Sequence, residues 1–292
     1  MARTSRSGAE TAPSRRKNKS DDQSGFLVTA PTGRTRATGS RERADWDSDS
    51  LELPTDVKEE LARVAPLSRN RRSDRSLAER LAAAAAAYDR DRYGDAARMT
   101  RAVLTMAPGS IAARELYGLA CYRQGKWEEA IKHLEIVVAS SDDQSQIPVL
   151  MDCYRALGRH RKVEDLWNDL KSASPDADVL VEGRLVLASD RAQNKDLKGA
   201  IDLLVKAGAS RTLRHPAERH IRQWYLLGDL LEASGDIPRA REMFERVVRA
   251  DPALADAADR LQSLGRPKKR PARSSAASQR SSAPRSLKRP SA

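Results

Sequence analysis

The sequence predicts an all-α fold: an array of about five helical hairpins plus a capping helix, flanked by disordered basic tails. Three observations predict it. Pairs of small residues stand twelve apart: Ala84 with Ala96, Gly118 with Ala130, Ala188 with Ala200 and Gly228 with Ala240. A turn-forming position recurs seven residues after the first member of each pair, and prolines fall in the same register. Between residues 74 and 265 every segment reads at helical spacing, and no β-rich run with turn chemistry interrupts it.

The small pairs have a direct physical reading. Two antiparallel helices that cross closely need a small side chain from each at the crossing, and a short turn between them fixes the separation. The first members are spaced 34, 70 and 40 residues apart. The gap of 70 holds one further unit, in which Met151 and Val163 take the two places. These two larger side chains predict a wider crossing there. Gly125, Gly158 and Gly235 occupy the turn position, where a helix end favours a left-handed residue, and Asp91 and Lys195 take it in the other two units. Tyr93, Trp127, Leu197 and Ile237 follow two positions later. Pro108, Pro175 and Pro252 each lie twelve residues after the second paired position and stop the second helix. Asp142 and Thr212 stand in place of proline in the second and fourth units, whose ends are less sharply marked.

The residues outside the array are read by the same rules. Residues 1–53 mix Ser, Thr, Gly, Arg and Asp without a hydrophobic period and read as a disordered tail. Residues 54–73 hold one short helix and a basic link: a helix over 55–65 with Thr55 as N-cap and Pro66 as stop, then Arg69 to Arg72. The solenoid segment is 74–265. Within it Gly208–His215 reads as a loop, and Pro216 starts a long helix running to about Ser234. Ala253–Leu264 reads as the capping helix that covers the last apolar face. Residues 266–292 read as a second disordered basic tail.

Charge is distributed unevenly. Of the formal net charge of +12, residues 266–292 carry +9 with no acid, residues 1–73 carry +4, and the middle is close to neutral at −1. Electrostatic attraction to nucleic acid, ribosomes or an anionic surface therefore belongs to the tails. The tail 266–292 holds no aromatic residue, so nucleic-acid binding there would be blind to sequence. Its flexible reach of ~30 Å would also let it lie along an acidic face of its own chain. Apart from Phe26 and Trp46, every aromatic lies between Tyr88 and Phe244, which places the core in the array. No apolar run approaches the ~20 residues of a membrane span. No secretory signal pattern opens the chain. Together with two cysteines and no C-x-x-C, this predicts a reducing, cytoplasmic setting.

Candidate chemistry is sparse. Cys121 and Cys153 read as small buried core residues. His133, His160, His215 and His220 form no ligand cluster and read as solvated or loop histidines. No P-loop, nucleophile elbow or dinucleotide fingerprint is present. The reading is a non-catalytic protein, with no cofactor and no metal. Trp127, Trp167, Trp224 and Phe244 read as packing residues.

The repeat unit resembles the tetratricopeptide repeat, a 34-residue helix-turn-helix module. Trp224, Leu227, Gly228, Leu231, Ala240, Phe244 and Pro252 follow its W-x2-L-G-x2-Y…A-x3-F…P pattern, with Leu231 in place of tyrosine. Tyr117, Gly118, Cys121, Gly125, Trp127, Ala130 and Leu134 follow it second best. The stretches GLACYRQGKWEEAI and PVLMDCYRALGR are also similar to tetratricopeptide proteins of actinobacteria, and the abundance of Ala and Arg suits a high-GC bacterium. The resemblance implies a concave face lined by positions 2, 5, 9, 12 and 13 of each first helix. Here those include Tyr88, Asp89, Glu115, Leu119, Tyr122, Arg123, Asp152, Arg155, Glu182, Leu185, Arg222, Tyr225, Asp229 and Glu232. Six acids against three arginines, interleaved with tyrosines, favour a protein segment that is basic or bears aromatic residues. The ladder of Lys and Asn that would clamp a C-terminal carboxylate is absent. The implied role is a protein–protein interaction scaffold; the alternative is an accessory protein that meets nucleic acid or ribosomes through its tails.

Overall fold

The computed structural model describes residues 53–64, 71–140 and 142–265. Among these residues there are twelve helices and no strand. The chain divides into two compact units, Met1–Thr212 and Leu213–Ala292. The first holds α1 (Thr55–Val64), α2 (Arg71–Asp89), α3 (Tyr93–Met106), α4 (Ile111–Arg123), α5 (Trp127–Ser140), α6 (Ile147–Ala156), α7 (His160–Ala173), α8 (Ala177–Gln193) and α9 (Leu197–Lys206). The second holds α10 (Glu218–Ala233), α11 (Ile237–Ala250) and α12 (Ala257–Ser263). Residues 1–52 and 266–292 of the tails, and Arg69 and Asn70 of the basic link, lie outside the described residues, whereas Leu53, read as the end of the first tail, is buried in the core, and Arg71 and Arg72 open α2.

Five hairpins form, α2/α3 to α8/α9 in the first unit and α10/α11 in the second, each closed by the same turn. All five turn positions have positive φ: Asp91 58°, Gly125 70°, Gly158 68°, Lys195 67° and Gly235 80°. Each turn shows the hydrogen-bond pattern of a left-handed helix cap. In the second, the Gly125 N–H donates to the Tyr122 carbonyl at 2.9 Å and the Lys126 N–H to the Cys121 carbonyl at 2.9 Å. In the fourth, the Lys195 and Asp196 N–H groups donate to Ala192 and Arg191 at 3.0 and 2.8 Å. Asp196 and Asp236 then cap the next helix, accepting from the Gly199 and Arg239 N–H groups at 2.9 and 3.3 Å.

The small pairs sit at the crossings. Ala84, Ala96, Ala130, Ala188, Ala200 and Ala240 are fully buried. A Cβ on Gly118 would stand 2.9 Å from Leu134 on the facing helix, and one on Gly228 would stand 3.1 Å from the Phe244 ring. Met151 and Val163 are fully buried too, and α6 and α7 pack more sparsely than the other hairpins. Proline stops hold: α3, α7 and α11 end at Met106, Ala173 and Ala250, two residues before Pro108, Pro175 and Pro252.

The structure differs from the sequence reading at the starts of α1 and α10 and at the capping helix. α1 is capped by Pro54, whose carbonyl accepts the Lys58 N–H at 3.1 Å, so Thr55 is the first helical residue rather than the cap. α9 ends at Lys206, ahead of the loop read from Gly208, where Gly208 turns left-handed, at φ 87°, and the Ala209 N–H closes on the Leu204 carbonyl at 3.0 Å. α10 begins at Glu218, two residues after Pro216. The capping helix shortens to seven residues because Ala255 takes φ 48° and the Asp251 carboxylate accepts the Ala253 N–H at 3.0 Å, which holds 251–256 in turns.

Candidate partner-binding face

The first helices of the hairpins carry the candidate residues. In the first unit their polar side chains bond from hairpin to hairpin. The buried Tyr122 of α4 donates its hydroxyl to Asp152 of α6 at 2.9 Å. Asp152, itself buried, receives Arg155 Nε at 2.7 Å, and Arg155 reaches on to Gln193 of α8 at 2.9 Å. One polar row thus runs across three first helices. Burial and the adjoining Asp152 carboxylate push the Tyr122 phenol far above its usual range, so it stays a donor. Nearer the helix starts, Gln146 donates to Glu115 at 2.6 Å.

A second group forms where the first turn meets the end of α4. The Arg123 guanidinium lies over the Tyr93 ring, 4.4 Å from its centre, and pairs with Asp91 at 3.5 Å. Tyr88 and Tyr93 meet edge to face at 5.2 Å. Asp89 is exposed, Leu119 is half-buried against the core, Glu182 is half-buried and Leu185 is buried.

In the second unit the candidates converge on one residue. Arg260 of α12 meets Asp229 and Glu232 at 2.6 Å each, and its guanidinium stands 4.7 Å from the Phe244 ring centre. Tyr225 donates to Asp256 at 2.6 Å. Burial raises the Asp229 carboxyl above its usual range, with Arg260 opposing that shift. Arg222 lies one turn earlier on the same helix, half-buried.

Several of these partners escaped the sequence reading. His160, taken there as solvated, meets the buried Asp190 at 2.7 Å across α7 and α8. His133 stacks edge-on against Tyr117 at 4.6 Å, and burial lowers its pKa. His220 accepts the Ala217 N–H at 3.0 Å and caps α10. Gly183 sits where a Cβ would stand 2.5 Å from Leu170. Each contact joins residues that no local period relates, apart from the His220 cap.

Cys121 and Cys153 are free and buried, and burial pushes both thiols up. An open cleft of about 650 Å³ lies between Arg101, Tyr117, Trp127 and Leu157, and none of the candidate residues lines it. Three of its rim residues are bonded elsewhere: Glu128 to Arg159 at 2.5 Å, Glu129 to Lys132 at 3.1 Å, and Lys126 to Gln124 at 2.8 Å. Among the described residues no cluster of His, Cys, Asp and Glu could hold a metal ion, and no helix is long and apolar enough to cross a membrane.

Comparison with known proteins agrees with this geometry. No curated protein matches the sequence significantly. The structure resembles a thermophilic TPR protein of Thermus thermophilus at a TM-score of 0.52 and 18% identity, covering 64% of this chain and 98% of that one. It also resembles a chain of the APC/C hetero-tetramer Cut9-Hcn1 at a TM-score of 0.51 and 13% identity, covering 71% of this chain and 39% of that one. These likenesses are of fold. The tetratricopeptide repeat family itself matches residues 80–145 and 224–264, one stretch in each unit. With the crossings, the left-handed turns and the proline stops in register, the hairpins have the fold of tetratricopeptide-like repeats.

Proposed function

We propose that this chain is a non-catalytic scaffold whose first-helix face receives a segment of another protein. The observation that carries the reading is the row from Tyr122 through Asp152 and Arg155 to Gln193. Those side chains are fixed before any partner arrives, so little ordering is left for binding to oppose. Asp89, Glu115 and Glu182, on first helices of the same unit, add acidic charge to that face. The partner segment is basic or carries aromatic residues, and it docks by shape and charge. Two buried thiols suit a reducing compartment, and we place the protein in the cytoplasm.

Charge reversal in the full chain tests this. Glu182→Lys with Asp89→Lys should cut retention of a captured partner at least tenfold, while the helical circular dichroism spectrum stays unchanged. Undiminished retention would remove the face from the account. The charge of +9 over residues 266–292 supports a second reading, in which the tail engages nucleic acid or ribosomes. If all nine cations met DNA phosphates, log K would fall against log salt with a slope of roughly −8. Partner retention that survives raised salt separates the first reading from this one.

A further inference from the structure

The N-terminal helix α1 occupies part of the first-helix face. Its apolar residues Val57 and Leu61, four apart, are buried, Val64 packs beside them, and Leu53, two residues ahead of the helix, is buried with them. They enter one core with Leu77, Leu81 and Ala85 of α2 and Ala112, Ala113 and Leu116 of α4. In the repeat register, Leu81 and Ala85 hold positions 5 and 9 of the first hairpin, and Ala112 holds position 2 of the second. Those are partner-facing positions. The attachment has a polar end as well. The Glu60 carboxylate accepts the Ser110 hydroxyl at 2.7 Å and the Ala112 N–H at 3.3 Å, where α4 begins. A Cβ placed on Gly109 would stand 3.4 Å from the Val64 Cβ.

We propose that this seat is an interaction surface for an amphipathic helix, and that α1 is its built-in occupant, replaced when a partner helix of the same kind arrives. The fitting helix carries apolar residues at i, i+4 and i+7 and a carboxylate at i+3, as α1 does with residues 57, 61, 64 and 60. Exchange follows from the size of the attachment. Ten helical residues are too few to stand alone in water. An apolar stripe with the Glu60 carboxylate at its end seats them, and the short connection to α2 supplies an effective concentration in the ~mM range. A helix with the same anchors and a longer apolar stripe displaces it. This inference rests on the reading that the first-helix face receives a partner, and it adds the partner's chemistry and its competitor.

The test uses the full chain and a fluorescent peptide with the sequence of residues 53–64. Val57→Asp with Leu61→Asp ejects α1, and this variant should bind the peptide at least tenfold more tightly than the unaltered chain. A peptide carrying the same two substitutions should not bind. A Val64→Cys, Gly109→Cys chain locks α1 in its seat, because the two Cβ atoms lie at disulfide distance. The oxidised chain should bind the peptide less than a tenth as well as the same chain after reduction. Equal binding by locked and reduced chains overturns the proposal, even if the ejected variant fails to fold. The peptide readout is independent of any cellular partner. A captured partner retained equally by locked and reduced chains, with the peptide behaving as expected, would overturn this partner's use of the seat and leave the exchange of α1 standing.

Discussion

One substitution, made at two glycines, should move stability in opposite directions. At Gly118 a new Cβ would stand 2.9 Å from Leu134 Cγ and Cδ2 and 3.5 Å from the Ala130 carbonyl oxygen. Ordinary contact begins near 3.4 Å, so α4 and α5 would have to part by about half an ångström, or Leu134 would have to leave its rotamer. Overpacking of this kind costs about 1–3 kcal/mol. Replacing glycine by alanine inside a helix returns about 1 kcal/mol. Gly118→Ala should therefore lose roughly 1 kcal/mol net. Gly94, in the first turn of α3, has nothing within 4 Å of its added Cβ and meets only the favourable term. Gly94→Ala should gain up to about 1 kcal/mol. Urea unfolding followed by circular dichroism and by tryptophan fluorescence measures both. Arrays of repeats need not unfold in one step, so coincident transitions and an unchanged m-value are the condition for comparing midpoints. A Gly118→Ala chain as stable as the unaltered one would refute the close crossing on which the repeat assignment rests.

Four further outcomes follow from the same structure. Lys195 holds a left-handed turn without glycine, so Lys195→Gly should raise stability by about 0.5–1 kcal/mol in thermal melts. Arg260→Ala leaves Asp229 and Glu232 without their partner and should cost the second unit about 2 kcal/mol, read by faster amide exchange in α12. Burial pushes the Tyr117 and Tyr225 phenols up to about 12 from an ordinary 10. The folded chain then holds protons that the unfolded chain releases, so this stability is fully present below pH 10 and is lost as pH rises from 10 to 12. Phenolate absorbance and loss of helical signal should appear together in that window. Cys121 and Cys153 should resist a thiol-specific reagent at neutral pH and react stoichiometrically in denaturant.

The hairpins were legible because the signals that build them are local. A crossing, a turn and a stop lie within twenty-four residues of each other, and each uses a residue type with one physical task. The register even assigned left-handed backbone to Asp91 and Lys195, where no glycine advertised it. The contacts between hairpins were not legible. Tyr122 with Asp152, His160 with Asp190 and Arg155 with Gln193 join residues thirty to thirty-eight apart. Which of many polar side chains meet at that distance depends on how one hairpin stacks on the next, and no period records it. For the same reason the candidate face appeared in the sequence as a list of charges, while in the fold several of those charges already serve as ties.

Those ties bear on which end helix can move. α12 is held by Arg260 on Asp229 and Glu232, by Tyr225 on Asp256, and by Arg241 of α11, whose guanidinium donates to the Leu261 carbonyl at 3.1 Å and to that of Gly265. The last two bonds satisfy carbonyls at the end of a helix that has no continuation to do so. α1 rests chiefly on an apolar stripe, with Glu60 bonded to the start of α4. A terminal helix that only shields an array from solvent has reason to be fastened in the first way. Fastening in the second way fits the exchange proposed for α1, which would uncover Leu81, Ala85 and Ala112.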